Sequence, residues 1–139
     1  MSLTPGVYNI ISVVGKRGLV AFDPKHGAPV SSAPHMVVPF SDDKARFQIT
    51  PTNQGKTYTI SNLATGLFIN PNNERVIFES SEYSWSIEEH SYGIWKIKTS
   101  EKQHSVIKVS AMKIVSPTPV FLREEEGNPL EVWLLVRVG

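Results

Sequence analysis

Four histidines, two adjacent acidic pairs, a run of three glutamates and one lysine framed by prolines are the groups in this 139-residue chain that could do chemistry. Each was tested against the spacing that such chemistry needs. His26, His35, His90 and His104 stand singly in polar stretches, and no spacing brings two onto one face, so surface histidines are expected and no metal site. Asp42/Asp43 and Glu88/Glu89 are neighbours in sequence, and on a strand such partners point to opposite faces. Glu124, Glu125 and Glu126 read as a solvated charge run rather than an acid/base pair. The phosphate-cradling GxxxxGK motif, GxGxxG, HExxH and GxSxG are all missing. An enzyme is therefore not expected, and no cofactor.

The lysine is more interesting. DPKHGAPVSSAPH, residues 23–35, holds three prolines and a single basic residue other than histidine, Lys25. Proline fixes its own φ and biases the preceding residue towards extended backbone. A stiff, polar segment should then project from the fold with a charged lysine exposed. A trypsin-like protease recognises such a display: the lysine enters an acidic pocket and the flanking backbone pairs with a strand edge. Ordering the segment in advance is what turns a substrate into an inhibitor. Taken alone, the loop reads at least as well as a tolerated surface insertion with incidental prolines.

The elements that hold this loop follow from a repeated pattern. Helical periodicity is hard to find, whereas short β-branched and aromatic runs alternate with Gly, Pro, Asn and Ser clusters. One unit recurs three times. It opens on an aromatic and an isoleucine two apart (Tyr8/Ile10, Tyr58/Ile60, Trp95/Ile97) and closes on a similar pair (Phe47/Ile49, Trp85/Ile87, Trp133/Leu135). Residues i and i+2 of a strand share a face, so each pair offers one side to a core. Two further strands are expected inside each unit: GLVAF, GLFIN and SVIKV, then MVVPF, RVIFE and PVFLR. The pattern predicts an all-β β-trefoil of twelve strands in one domain over 1–139, with pseudo-repeats of about 1–51, 52–90 and 91–139. A six-stranded barrel would be capped by hairpins. On this alignment Leu19 to Phe40 spans 21 residues, against 11 from Leu67 to Phe78 and 14 from Ile107 to Phe121, which places an insert at residues 23–35. Long loops in compact domains are more often functional than neutral.

Composition narrows the partners. A net charge of +1 leaves no electrostatic footprint for nucleic acid or an anionic membrane, and neither is expected as a partner. Cysteine is absent, so no disulfide supports the fold. The first residues carry no basic segment followed by an apolar one, and the expectation is a monomer in the cytoplasm.

The start TPGVYNIISV, the threefold pattern, the size and the lack of cysteine together resemble the small β-trefoil serine protease inhibitors of mushroom-forming fungi, the cospin and cnispin type. The resemblance implies a defence role with a trypsin-like serine protease as partner. It also implies a reactive loop between the second and third strands, with a basic residue before the scissile bond. Here that loop is the insert: Pro24, Lys25, His26 and Gly27, with Lys25 as the specificity residue. Lys113 followed by Ile114 is the second candidate. Arg17 lies in what reads as a tight turn, and Arg123 is followed by three glutamates that suit trypsin badly. Two alternatives share the scaffold. Mycocypins inhibit cysteine proteases from similar trefoils. Ricin-type lectins also resemble this architecture, but the Q-x-W that closes each of their repeats is replaced here by RFQI, SWSI and VWLL. Only Tyr83 and Tyr92 are left to stack on a sugar, because Trp85, Trp95 and Trp133 belong to the core pairs.

Overall fold

The computed structural model describes residues 3–100, 105–109 and 117–139. The first pass of the pattern contributes β1 (Gly6–Ser12), β2 (Gly18–Val20), β3 (Ser31–Ala33) and β4 (Phe47–Thr52). The second contributes β5 (Thr57–Asn62), β6 (Phe68–Asn72), β7 (Arg75–Glu79) and β8 (Trp85–Ser91). The third contributes β9 (Ile94–Thr99), β10 (Ser105–Lys108), β11 (Thr118–Pro119), β12 (Phe121–Glu124) and β13 (Trp133–Arg137). The described residues thus hold thirteen strands rather than twelve, the extra one being the two-residue β11.

Six strands pair in a ring, β1–β4–β5–β8–β9–β13 and back to β1. The register explains the sequence pattern. Within each pass the opening aromatic faces the closing one: Tyr8 opposite Phe47, Tyr58 opposite Trp85, Trp95 opposite Trp133. Between passes the aliphatic partners meet: Ile49 with Ile60, Ile87 with Ile97, Leu135 with Ile10. The six aromatics are at most 6% exposed, as expected for a packed layer. Two of the closing aromatics also tie the ring to the hairpins. Trp85 Nε1 donates to the Ile69 carbonyl (3.0 Å) and Trp133 Nε1 to the Ile107 carbonyl (2.9 Å).

The inner hairpins meet on three fully buried valines. Val30 N–H donates to the Val76 carbonyl at 2.8 Å, and Val120 N–H donates to the Val30 carbonyl at 3.1 Å. These valines set the true alignment of the passes. Leu19 pairs with Ser32, Ile69 with Phe78 and Ile107 with Leu122. MVVPF is therefore not the third strand of the first pass; Ser31–Ala33 is. The expectation failed because the strand carries serines where the other passes carry Phe78 and Leu122. Pro34 follows that strand, and turns and bends occupy residues 35–42. On the corrected alignment 13 residues separate Leu19 from Ser32, against 9 from Ile69 to Phe78 and 15 from Ile107 to Leu122. No insert is unique to the second-to-third connection. The extra length lies after β3, where Phe40 and Ala45 carbonyls accept from Asn9 Nδ2 at 2.8 and 2.9 Å.

The glutamate run is exposed at Glu124 and Glu126, as expected, but Glu125 and Glu126 also pair with lysines of the sheet. Lys96 bonds to Glu125, Lys98 to Glu125 (2.9 Å) and Glu88 (3.0 Å), and Lys108 to Glu126 (2.8 Å). The three lysine side chains are only 12% exposed, so they lie along the sheet with their charges met. Glu131, fully buried, accepts the Glu126 and Gly127 N–H groups at 2.9 Å each and closes the loop on itself.

Two outcomes are expected. Trp85→Phe removes one donor and leaves the Ile69 carbonyl short of a partner, which should cost about 1–3 kcal/mol in urea unfolding; Trp85→Ala should cost about 3–5 kcal/mol. The hydrogen bonds from Lys96 and Lys98 lower the Glu125 carboxyl from 4.5 to about 2. A depressed carboxylate stabilises the fold above its unfolded value, and that contribution is lost as pH falls through the folded one. Wild type should therefore be more stable than Glu125→Gln at pH 7, with the gap closing between about pH 4.5 and 2. A constant gap across that range would sever the link to Glu125.

Candidate ligand-binding site

Residues 22–27 form the exposed part of the proline-rich segment, whereas Ala28, Val30, Ser31, Ser32 and Ala33 are buried. The segment does not project along its length. Its second half is β3 and the valine that meets Val76. Nor is the lysine region extended: Ala28 N–H donates to the Lys25 carbonyl at 3.1 Å, closing a four-residue turn in which Gly27 takes φ +84°. Gly27 N–H donates to the Phe78 carbonyl (2.6 Å) and Phe78 N–H to the Ala28 carbonyl (3.0 Å), so β7 holds the turn. His26 Nε2 lies 3.4 Å from Glu79. Pro24, Lys25, His26 and Gly27 are thus together and exposed, on a turn stapled to the cap. Lys113 and Ile114 lie outside the described residues.

Arg17 is the basic residue of this region that the sequence undervalued. It is 6% exposed; its backbone N–H donates to Ser12 Oγ, and its guanidinium to Ser32 Oγ (2.9 Å) and the Ser32 carbonyl (2.8 Å). Burial lowers its pKa. The serine that disguised β3 is the arginine's receptor, a pairing with no local sequence signal. Arg123 does not stand free either: it is bonded to Glu74.

Of the two tyrosines left for stacking, Tyr83 packs edge-on against Trp85 at 4.9 Å and its hydroxyl accepts from Ser100 N–H. Tyr92 is the other. It stands at the tip of the β8–β9 hairpin, 98% exposed, where Gly93 at φ +76° turns the chain. The register of the hairpin slips between Glu89 and Ser91, so His90 is an extra residue that sharpens the bend. Beside this tip is a hollow of about 240 Å³. His90, Ser91, Ile94 and Lys96 line one side, and Gly127, Asn128, Pro129 and Val132 of the β12–β13 loop line the other. The Asn128 side-chain oxygen accepts from Leu130 N–H at 3.0 Å, which leaves its amide hydrogens for a ligand. The Lys96 charge is met by Glu125, so the hollow offers hydrogen bonds and an apolar edge rather than net charge.

No family model matches the sequence, and no curated protein matches it. Solved structures do match. The Rhizoctonia solani agglutinin is 17% identical with a TM-score of 0.84, covering 99% of each chain. A Macrolepiota procera ricin B-like lectin, solved in complex with lactose, is 16% identical with a TM-score of 0.80, covering 99% of this chain and all of that one. ThreeFoil, a designed threefold-symmetric protein, is 15% identical with a TM-score of 0.81 over 96% of this chain and 99% of its own. The fold is a β-trefoil. At these identities the likeness establishes the fold and leaves function to the residues.

Two basic residues of the first pass should respond oppositely to truncation. Arg17→Ala strips the buried bonds to Ser32 and should cost about 1–3 kcal/mol in urea unfolding. Lys25→Ala on the exposed turn should stay within about 0.5 kcal/mol of wild type.

Proposed function

We propose that this protein is a carbohydrate-binding protein, a β-trefoil lectin, with a ligand site at the β8–β9 tip. The supporting observation is the tip itself: Tyr92 is 98% exposed and follows His90 and Ser91, which line a hollow whose one lysine is met by Glu125. Sugars present an apolar C–H face and a rim of hydroxyls. A bare aromatic ring receives the first, and His90, Ser91 and the Asn128 amide receive the second. At about 240 Å³ the hollow falls below the roughly 300–1,000 Å³ of pockets for drug-sized ligands, which suits one sugar ring rather than a larger molecule. Two structural neighbours, an agglutinin and a lectin solved with lactose, make carbohydrate binding a precedent on this scaffold. The ring lacks the Q-x-W context of ricin-type repeats, so the site is read from geometry and not from that motif.

Inhibition of a trypsin-like serine protease is the second reading, favoured by the exposed Lys25 on a turn that three backbone hydrogen bonds immobilise. Against it, the Lys25 carbonyl is folded into that turn instead of lying in the extended backbone that a protease cleft pairs with. Nothing among the described residues singles out inhibition of a cysteine protease.

A glycan array followed by calorimetric titration of the best ligand separates these readings. Binding of a neutral saccharide is expected, with Tyr92→Ala weakening it about tenfold, or ~1.4 kcal/mol, near the top of the range for aromatic stacking. Unchanged affinity in that variant would remove the site. In parallel, trypsin left fully active at micromolar protein would dispose of the second reading, while inhibition abolished by Lys25→Ala would replace the first.

A further inference from the structure

A second hollow, of about 260 Å³, lies at the β6–β7 hairpin and is lined by Asn72, Asn73, Glu74, Arg75 and Ile77. The hairpin tip is fixed from two sides. Asn73 takes φ +56° in the turn, and the Glu74 carbonyl accepts Leu122 N–H at 2.8 Å from β12. Phe121 of β12 pairs with Arg75, and the Arg123 guanidinium lies 5.3 Å over the Phe121 ring, bonded on its other side to the Glu74 carboxylate. Glu74 therefore meets one arginine, Arg123, and a second, Arg75, follows it in the chain and lines the same hollow. Arg75 is exposed and has no ion-pair partner among the described residues.

We infer that this hollow binds a carboxylate-bearing saccharide, a uronic acid or a similar sugar acid, whose carboxylate meets Arg75 in the lining and displaces Glu74 from Arg123, which stands outside the lining and is tied to it through Glu74. A guanidinium is a planar fork matched to a carboxylate, and the Phe121 ring holds its plane in advance. Glu74 is 76% and Arg123 43% exposed, and an ion pair that open contributes little, so a ligand can displace it at small cost. Arg75 supplies the second positive charge, leaving the site with an excess of one over Glu74. The amides of Asn72 and Asn73 offer donors and acceptors for ring hydroxyls, and Ile77 offers an apolar surface to the C–H face. The inference extends the carbohydrate reading to an acidic sugar but uses none of the residues around Tyr92.

Titration of the full chain with methyl glucuronide, methyl glucoside and acetate, followed by amide chemical shifts, tests it. The glucuronide should bind at least tenfold tighter than either control and perturb residues 72–77 and 121–123. Arg123→Ala and Arg75→Ala should each reduce its affinity about tenfold. Glu74→Gln should raise it several-fold, and Tyr92→Ala should leave it unchanged. Raising NaCl to 0.5 M should weaken it, as for any exposed charge contact. Glucoside binding as tightly as glucuronide would overturn the inference, as would Glu74→Gln weakening the ligand. Acetate matching the glucuronide would reduce the hollow to plain anion recognition and overturn the saccharide assignment. If neutral glycans bind through Tyr92 while the glucuronide shows no preference, this inference fails and the lectin reading stands. If the glucuronide binds through the arginines and no neutral glycan binds at all, this inference stands and the site at the β8–β9 tip fails.

Discussion

A ring of six strands closes only if its first and last members pair, and in this chain those are β1 and β13. The closure is tight at its end. Val7 N–H donates to the Gly139 carbonyl at 3.0 Å, and Val138 N–H to the Val7 carbonyl at 2.7 Å. A Cβ at Gly6 would lie 2.5 Å from Arg137 Nε and 2.7 Å from the Gly139 carbonyl oxygen, so this position has no room for a side chain. Closing the ring also sets side chains at matched heights around it. That is why aromatics face aromatics within a pass and aliphatics face aliphatics between passes. With no cysteine to brace it, the barrel depends on this packing and on polar groups that find partners. Among the described residues no buried side-chain nitrogen or oxygen lacks one.

The cap obeys a looser rule, because only its centre is shared. Val30, Val76 and Val120 must meet, but what lies two residues beyond them is free to vary. Two passes place Phe78 and Leu122 there; the first places Ser32 and fills the remaining space with Arg17. A buried guanidinium needs acceptors, and the hydroxyl and carbonyl of Ser32 supply them. One substitution of chemistry thus required a second one fifteen residues away, and the pair makes the first hairpin unlike the others without disturbing the ring.

The same distinction explains what could be read from the sequence. The ring was legible because its residues repeat in type and spacing: six aromatics and six aliphatics, each two apart, cannot be shifted without breaking the pattern. The first cap strand was not, because Ser-Ser-Ala carries no hydrophobic signal, while the apolar run MVVPF nearby carries a false one. Val38 of that run is indeed buried, but in a small satellite core with Val20, Ala33 and Ala45. Apolar character reported burial correctly and secondary structure wrongly. Elimination left Tyr83 and Tyr92, since Trp85, Trp95 and Trp133 had places in the core pairs, and only the packing of Tyr83 against Trp85 separates the two. The hollow beside the β8–β9 tip could not be read, because its far wall comes from the β12–β13 loop, some 35 residues further along the chain.

Charge distribution then decides which surfaces remain open to a ligand. Lys96, Lys98 and Lys108 would make one wall of the barrel basic, but the loop carrying Glu125, Glu126 and Glu131 folds back over them. That loop is fixed by Glu131 and by Asn128, whose side chain caps the 3-10 turn Pro129–Glu131. Glu125 and the buried Glu131 are therefore counter-ions to these lysines, Glu124 and Glu126 stay exposed as a solvated run should, and the residues that follow form one wall of the hollow beside the β8–β9 tip. Among the described residues no such loop is bonded over the β6–β7 tip, where Arg75 is exposed and the Arg123–Glu74 pair is half open. Two hollows on one frame thus differ in kind: in one the lining lysine is met by Glu125, and the other is lined by Arg75, unpaired among the described residues, beside the Arg123–Glu74 pair. The frame is indifferent to that difference, because both sites sit on hairpin tips that the closure of the ring does not constrain.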